Sequence, residues 1–335
     1  MNQTQGKIED IDIAVLAEKL IPAAAERIRP YVRETYLQRS DFYSQLCQAD
    51  VYLKCENLQH TGSFKLRGAL NKVIQSDDNA ELVAASTGNH GKAVAFAARK
   101  FGRKVTVFAP ESANAGKLQA IRRLGAEVQF AGSDCLEAEH VARRFSNEQN
   151  ATYISPYNDL EVIAGQGTIG WEICQQIKNA DAVFASVGGG GMLAGIAACI
   201  RSQVPACQFI GCSPENSKVM IESIASKKIL DLSSTATLSD GTAGGLEANS
   251  ITFPLCCELL DQTVTVTEQE IAEHLLRFVD EHGMLIEGAA AVCLASLDKV
   301  KQDLKGKEVV IVLCGANVSS KQLLHAKQLT EQTVN

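Results

Sequence analysis

Four consecutive glycines, Gly188 to Gly191, separate an apolar segment typical of a buried strand from an apolar segment typical of a helix. Because glycine has no Cβ, main-chain N–H groups in such a run can converge on an anion, and the following helix adds its positive end. The run lacks the Lys-Ser/Thr of a Walker sequence and the GxGxxG spacing, so it is not a nucleotide loop. A tight turn is the alternative, but four glycines exceed what a turn requires. We therefore predict a phosphate-binding loop between a strand and a helix.

Short apolar runs bounded by Gly, Ser or Pro alternate with helical patterns along the chain, which is typical of βαβ units. The predicted strands are 51–55, 81–85, 104–109, 127–131, 182–187, 208–212, 263–266 and 308–313, and the predicted helices are 91–101, 117–124, 166–177, 192–202, 268–281 and 288–299. Aromatic residues make up only 5% of the chain, so aliphatic side chains supply most of the apolar surface. Such a composition suits helices layered on a buried parallel sheet. The sequence predicts an α/β fold.

One block of the chain, residues 81–157, has the pattern of a self-contained unit. It contains three predicted strands, each next to a helical segment, and it closes at Ser155-Pro156-Tyr157. We predict a small domain, 81–157, inserted in a large domain formed by 1–80 and 158–335.

The net charge, the cysteines and the N-terminal residues indicate which partners and which compartment to expect. The net charge is −7 and no basic run stands out, which argues against nucleic-acid binding. Eleven cysteines are scattered without any CxxC pair, so we interpret them as free thiols in a reducing, intracellular setting. The first twenty residues are too acidic and polar for a signal peptide, and no apolar run approaches the roughly 20 residues that span a bilayer. We expect a cytoplasmic protein without a membrane partner.

A second glycine-containing turn, Thr61-Gly62-Ser63, precedes Phe64 and Lys65 and is predicted to start a helix. The helix dipole disfavours a cation in the first turn, so stability alone does not explain Lys65. A lysine with a lowered pKa there could form a Schiff base. The alternative is that Lys65 is a solvated surface residue, as most lysines are.

A third turn, Ser86-Thr87-Gly88-Asn89-His90-Gly91, lies between a predicted strand and an Ala-rich helix. Its side-chain donors and exposed amides could hold a carboxylate at the helix N-terminus. The alternative is a Ser/Thr helix cap with an Asn turn.

Together the three turns require a ligand with a phosphate, an aldehyde that a lysine can trap, and an amino-acid carboxylate. Pyridoxal 5′-phosphate with an amino acid satisfies all three. The sequence resembles the fold type II pyridoxal-phosphate enzymes, in the threonine dehydratase and serine racemase branch. The matching segments follow the family's order over about residues 20 to 320, and they are 54–69, 86–91, 162–168, 186–195, 285–287 and 313–317. The resemblance implies two open, mainly parallel twisted sheets flanked by helices.

The resemblance also implies roles for individual residues. Lys65 would carry the cofactor through a Schiff base, and Lys65 and Thr87 would be the catalytic residues. Asn89 would bond the ring hydroxyl of the cofactor, and Cys314 would face its pyridine nitrogen. The other implied cofactor-binding residues are Phe64, the phosphate-binding Gly188, Gly189, Gly190, Gly191 and Met192, and also Gly241 and Glu287. The implied substrate-binding residues are Ser86, Thr87, Asn89 and His90.

Four features of the sequence refine these expectations. Thr87 replaces the serine that serine racemases use as the acid on the second face of Cα, and Tyr157 resembles dehydratases rather than racemases. Ser213 stands where the divalent-cation site of some relatives has a glutamate, so we expect no metal. Because the sequence given ends at Asn335, we expect no C-terminal regulatory domain of the kind that biosynthetic threonine dehydratases carry.

The resemblance implies a lyase that removes water and ammonia from a small β-hydroxy amino acid. L-threonine would give 2-oxobutanoate and ammonia, and L-serine would give pyruvate and ammonia. Freed Lys65 would take the α-proton, and the thiol of Cys314, with an ordinary pKa of roughly 8.5, would leave the pyridine nitrogen largely unprotonated. The alternatives are a serine or hydroxyaspartate racemase on the same scaffold, a β-replacement enzyme, and a non-catalytic binding protein that retains the cofactor pocket. Relatives are usually homodimers, and we expect the same here.

Overall fold

In the computed structural model, which describes residues 11–113, 115–133 and 135–332, the strands form two mainly parallel sheets. Residues 1–10, on which the signal-peptide prediction partly rests, lie outside the described ranges. The strands are β1 (Leu37–Arg39), β2 (Asp50–Lys54), β3 (Leu82–Ala85), β4 (Val105–Ala109), β5 (Glu127–Phe130), β6 (Thr152–Tyr153), β7 (Ala182–Ser186), β8 (Gln208–Pro214), β9 (Gln262–Val266) and β10 (Glu308–Val312).

Helices cover both sheets, as parallel sheets require. They are α1 (Ile13–Val15), which a π-helical segment (Leu16–Leu20) joins to α2 (Ile21–Ile28), α3 (Asp41–Cys47), α4 (Lys65–Gln75), α5 (Asn89–Lys100), α6 (Ala115–Arg123), α7 (Cys135–Glu148), α8 (Leu160–Gln176), α9 (Gly191–Gln203), α10 (Val219–Ser226), α11 (Thr252–Leu259), α12 (Glu268–His282), α13 (Gly288–Val300) and α14 (Ser320–Gln332). Short 3-10 turns occupy Glu56–Leu58 and Lys301–Leu304.

The larger sheet has six strands in the order β1-β2-β10-β7-β8-β9. All its neighbouring pairs are parallel except β1 with β2, which pair antiparallel at one edge. Every residue of β7 is buried, as are the last four of β10. The β-branched and small side chains of these central strands therefore form the middle of the main hydrophobic core.

The smaller sheet has four parallel strands in the order β5-β4-β3-β6. Its principal core includes residues of α5 and also Leu66, Leu70 and Val73 of α4, which precede residue 81 in the sequence. Helix α4 therefore contributes to the core of the smaller sheet although it follows a strand of the larger one. The division into domains 1–80 with 158–335 and 81–157 stays a prediction.

A buried network of charges fixes helix α4 to α8. Arg67 donates to both carboxylate oxygens of Glu56, each at 2.8 Å, and to those of Glu172 at 2.6 and 2.9 Å. The ammonium of Lys54, at the end of β2, donates to Glu172 at 2.6 Å. Arg67, Glu56 and Lys54 are fully buried. Because two cations and two carboxylates compensate one another, these charges can be held inside the protein. Arg67, at the centre of the network, lies two residues after Lys65.

The α/β class with two mainly parallel sheets, predicted from the sequence, is confirmed. Each predicted strand coincides with an observed strand to within two residues at either end. The sequence patterns missed β1 and β6, which are only three and two residues long. Helix α8 begins at Leu160, earlier than predicted, because the Asp159 side chain accepts from the N–H groups of Glu161 and Val162 and caps it. Within the described ranges, no helix is both long and apolar enough to cross a membrane.

Candidate active site

Three loops that are far apart in sequence meet at one edge of the larger sheet. They follow β2, β10 and β7, which are adjacent and parallel, so their carboxyl ends lie side by side. In open α/β sheets this edge is where ligands bind. Lys65 follows β2, Cys314 follows β10, and the four glycines follow β7.

A pocket lies where these loops converge. The residues that line it are Phe64, Lys65, Asn89, Tyr157, Ser186, Gly188, Gly189, Gly190, Gly191, Met192, Gly241, Thr242, Glu287, Ala289 and Cys314. The structure therefore brings together every residue for which the sequence predicts cofactor binding. Tyr157, Ser186, Thr242 and Ala289 line the pocket in addition.

The glycine run forms a tight wall at the start of α9. Gly190 has φ +81°, a left-handed conformation that favours glycine, and it is the N-cap of the helix. A Cβ on Gly189 would lie 2.3 Å from the Tyr157 ring, and one on Gly188 would lie 2.8 Å from the carbonyl oxygen of Thr242. Tyr157 and Thr242 thus approach the loop too closely for any residue other than glycine at positions 189 and 188. The helix presents its positive end to the pocket.

Lys65 is held inside the pocket at the first position of α4. Its Nζ donates to the carbonyl oxygen of Pro156 at 2.8 Å. Burial lowers the pKa of Lys65 to about 8, and the nearby charge of Glu287 opposes this shift only in part. A substantial fraction of the amine is therefore neutral near pH 8, which is the form that attacks a carbonyl or takes a proton.

Main-chain bonds join the loop before Lys65 to the loop after β10. Ser63 and Gly315 form an antiparallel bridge, and the N–H of Phe64 donates to the carbonyl of Cys314 at 3.0 Å. The N–H of Glu287 donates to the carbonyl of Gly315 at 2.9 Å. These bonds fix Lys65, Cys314 and Glu287 relative to one another.

Cys314 and Glu287 form a buried acidic pair beside Lys65. The Cys314 thiol donates to Glu287 Oε1 at 3.6 Å. Burial raises the pKa of Cys314 well above its usual range, and the negative charge of Glu287 acts in the same direction. Burial also raises the pKa of Glu287, while hydrogen bonds from Asn89 oppose this. Cys314 is therefore a neutral thiol in the pocket.

The predicted substrate loop lies at the end of β3, and its side chains are placed unequally. Asn89 lines the pocket and donates to Glu287, whereas the Ser86 hydroxyl accepts from the N–H of Gly88 at 3.2 Å. The His90 imidazole is buried and bonds the carbonyl oxygen of Ile154 at 2.7 Å. Burial lowers the pKa of His90 to about 3, so the ring is neutral and is the donor. Because the His90 ring is committed to Ile154, any contact of His90 with a carboxylate would come from its main chain. Thr87, in the same loop, is partly buried.

Two ion pairs join helices beside the smaller sheet to the loop that carries Gly241. Lys117 of α6 pairs with Asp240 at 2.6 Å, and Arg143 of α7 pairs with Glu247 at 2.9 Å. The Tyr157 hydroxyl also accepts from the N–H of Glu247 at 2.9 Å. The pocket is thus enclosed by both halves of the molecule.

Several residues of the site carried no role in the sequence reasoning. Asn317 bonds Asn89, Thr242 approaches Gly188, and Pro156 accepts from Lys65. In the sequence, Asn317 stands out only as the end of a matching segment, and Tyr157 only as a dehydratase-like feature. The position of Asn317 three residues after Cys314 was the available signal. No such signal marks a main-chain carbonyl.

Ser213, where a glutamate ligand would be needed for a cation site, donates its hydroxyl to the carbonyl oxygen of Val187 at 2.8 Å. Over the described part of the chain, no three His, Cys, Asp or Glu side chains cluster as a metal site would require.

Comparison with known proteins agrees with this geometry. A family model described as pyridoxal-phosphate dependent enzyme matches residues 28–315. The L-threonine ammonia-lyase of Thermotoga maritima is 38% identical over 301 residues, which are 89% of this chain and 75% of that protein. The processed form of threonine deaminase isoform 2 from Solanum lycopersicum has a TM-score of 0.90 at 31% identity, over 98% of this chain and 96% of that one. Serine racemase from Dictyostelium discoideum has a TM-score of 0.83 at 33% identity, over 90% of this chain and 98% of that one.

Proposed function

The chain belongs to the pyridoxal-phosphate dependent enzymes, and on that premise we propose that it removes water and ammonia from a small β-hydroxy amino acid. L-threonine would yield 2-oxobutanoate and L-serine would yield pyruvate. The family implied by the resemblance and the cofactor predicted from the three turns are confirmed. The lyase implied by the resemblance agrees with the threonine ammonia-lyases among the relatives. The observation that carries the proposal is a pocket-lining lysine with a lowered pKa opposite a glycine-lined helix N-terminus.

The pocket fits pyridoxal phosphate in each of its parts. Gly188 to Gly191 and Met192 would hold the phosphate, because they line the pocket at the N-terminus of α9. Lys65 would hold the aldehyde carbon covalently, with Phe64 packed beside its ammonium at 5.1 Å. Asn89 would bond the ring hydroxyl, and Gly241, Glu287 and Cys314 would surround the ring. When bound, the cofactor supplies an acceptor for the electron pair that is released at the substrate Cα.

Lys65 is the base that the pocket offers for the α-proton. Its pKa of about 8 allows Nζ to take a proton from Cα. Nζ can then give that proton to the β-hydroxyl oxygen, which leaves as water. The released enamine tautomerises to an imine. Water hydrolyses the C=N bond of the imine, which gives the 2-oxo acid and ammonia. Cys314 favours this course because a neutral thiol places no negative charge at the pyridine nitrogen, unlike an aspartate.

The substrate carboxylate would lie at the start of α5, where Ser86, Thr87, Asn89 and His90 follow strand β3. The helix N-terminus favours an anion there. Neutral His90 adds no charge to this site, so the main-chain N–H groups and the helix dipole supply the attraction. This arrangement suits a single small amino-acid carboxylate.

We expect purified protein with bound cofactor to release 2-oxobutanoate from L-threonine and pyruvate from L-serine. L-alanine is the matched control because it has the same Cα chemistry without a β-hydroxyl to eliminate. The 2-oxo acid and ammonia are measured together and should appear in equal amounts. Binding of pyridoxal phosphate without 2-oxo acid from any β-hydroxy amino acid would instead support a non-catalytic binding protein.

Thr87 separates the lyase from the racemase that shares this scaffold. Racemisation needs a proton donor on the face of Cα opposite Lys65, and a positioned donor contributes roughly 10²–10⁴-fold. The β-branch of Thr87 restricts χ1 and adds a methyl group. We expect Thr87→Ser to raise serine racemisation relative to elimination and Thr87→Ala largely to spare elimination. Chiral chromatography of residual serine gives the ratio, and wild-type protein that forms D-serine as fast as pyruvate would establish the racemase function in place of ours.

We also propose that the enzyme works as a cytoplasmic homodimer without nucleic-acid or membrane partners. Ten described cysteines are free thiols, which supports a reducing compartment. The homodimer rests on the resemblance and is measured by light scattering on the purified protein.

A further inference from the structure

A chain of side-chain hydrogen bonds runs from helix α5 to the acidic pair in the pocket. Lys92 Nζ donates to Asn317 Oδ1 at 2.9 Å, and Asn317 Nδ2 donates to Asn89 Oδ1 at 2.6 Å. Asn89 Nδ2 then donates to the two carboxylate oxygens of Glu287 at 2.9 and 2.8 Å. Asn89 and Glu287 line the pocket, whereas Lys92 and Asn317 lie behind them. The chain therefore links a residue outside the pocket to its lining.

The chemistry of the two ends fixes the direction of every bond in this chain. An ammonium group only donates, and an ionised carboxylate only accepts, whereas a carboxamide can do either according to which way it is turned. Lys92 therefore requires the oxygen of Asn317, which turns its nitrogen toward Asn89. Asn89 must then present its oxygen to Asn317 and its nitrogen to Glu287. Without a donor at position 92, Asn317 Oδ1 would lose its hydrogen-bond partner, so the orientation of both carboxamides would be held less tightly.

Asn317 is also held from a second side. Its Nδ2 donates to the carbonyl oxygens of Thr61 and Gly62 at 3.0 and 3.4 Å, and a Cβ on Gly62 would lie 3.1 Å from its Oδ1. Gly62 has φ +74°, so the turn that precedes Lys65 is shaped to contact Asn317. The carboxamide of Asn317 therefore joins the lysine turn to Asn89.

Helix stability does not account for a cation at position 92. Lys92 lies in the first turn of α5, where the helix dipole disfavours positive charge. It is half-buried, and burial lowers its pKa while the charge of Glu287 opposes the shift. An exposed lysine outside the first turn would avoid both the unfavourable helix dipole and the cost of burial. The hydrogen bond to Asn317 is the one polar contact of its side chain among those described.

We propose that Lys92 is a positioning residue that, through Asn317, holds the Asn89 carboxamide with its N–H groups toward Glu287 and the cofactor ring. The inference rests on the proposed function because it concerns the contact between Asn89 and pyridoxal phosphate. It predicts that cofactor affinity depends on a donor-only side chain at a position that does not touch the cofactor.

Lys92→Met removes the donor while keeping an unbranched side chain, and Lys92→Arg keeps a donor-only cation. We expect Lys92→Met to raise the cofactor dissociation constant roughly tenfold or more, the loss typical of a hydrogen bond to a charged group. The visible absorption of the bound cofactor should shift in the same variant. Lys92→Arg should restore both. Lys100→Met, at an exposed lysine of the same helix, should behave as wild type. Equilibrium dialysis of the holoenzymes gives the constant.

Asn317→Asp breaks the chain in its middle without changing Lys92, because a carboxylate cannot donate to Asn89. It should weaken cofactor binding at least as much as Lys92→Met does. A dissociation constant within about twofold of wild type for Lys92→Met or for Asn317→Asp, or equal losses in Lys92→Met and Lys100→Met, would overturn the proposal. A wild type that binds the cofactor but releases no 2-oxo acid contradicts the proposed function and leaves this binding comparison intact.

Discussion

Replacing Lys65 by alanine should reduce 2-oxo acid release by several orders of magnitude. The variant loses the amine that holds the cofactor and also the group that takes the α-proton, and general-base catalysis alone contributes roughly 10²–10⁴-fold. Lys65→Met is the matched variant, because it fills much of the same space in the pocket without an amine. We expect equal losses in both variants, which would assign the effect to the amine rather than to a cavity. Steady-state rates with L-threonine at saturating cofactor measure it.

The covalent role of Lys65 has its own readout. Borohydride reduction of the wild-type holoenzyme should fix the cofactor on the peptide that contains Lys65, and the alanine variant should give no labelled peptide. Lys72→Ala is the control, since Lys72 lies on the same helix but pairs with Asp159 at 2.6 Å away from the pocket lining. A label on any other lysine of the wild type would contradict the assignment of the whole site.

Gly189→Ala should weaken cofactor binding by about 10- to 100-fold, since overpacking a tight site costs about 1–3 kcal/mol. The new Cβ would lie 2.3 Å from Cγ of Tyr157. Cγ is at the base of the ring, so the ring cannot simply rotate away. Either Tyr157 or the glycine loop must move, and both line the pocket. Equilibrium dialysis with pyridoxal phosphate measures the change.

Gly245→Ala provides the comparison for this variant. A Cβ on Gly245 would meet no atom within 4 Å, and the residue lies in the loop that follows Gly241. It should bind the cofactor as wild type does. Unchanged affinity in Gly189→Ala would mean that the phosphate lies elsewhere, and the assignment of the glycine loop would then be wrong.

The residues that could be predicted from the sequence share one property: their signal is local. The glycine run stands between a strand and a helix, and Lys65 stands in an unfavourable first turn, so each can be recognised from its neighbours in sequence. Their convergence follows from the rule that parallel strands end at one edge of the sheet. The strands themselves were predictable because their apolar runs are continuous and buried.

The contacts that could not be predicted join residues far apart in sequence. The bond between Lys92 and Asn317 spans 225 positions, and nothing near either residue indicates the other. The buried charges of Lys54, Glu56 and Arg67 run against the general tendency of such residues to be exposed. A sequence pattern gives the period of an element and its apolar face. It does not give the polar partner on another element.

The place of β10 in the larger sheet has a consequence for how the chain acquires its site. This strand lies between β2 and β7 although it comes last in the sequence. Until residues 308–312 are synthesised, β2 and β7 have no strand between them, and each presents an unpaired edge that can associate with other chains. Lys65 and the glycine loop can be joined only when β10 inserts. Sequence-distant pairing of this kind is slow, so a nascent chain carries its cofactor lysine and its phosphate loop without a cofactor site until β10 has been synthesised and inserted.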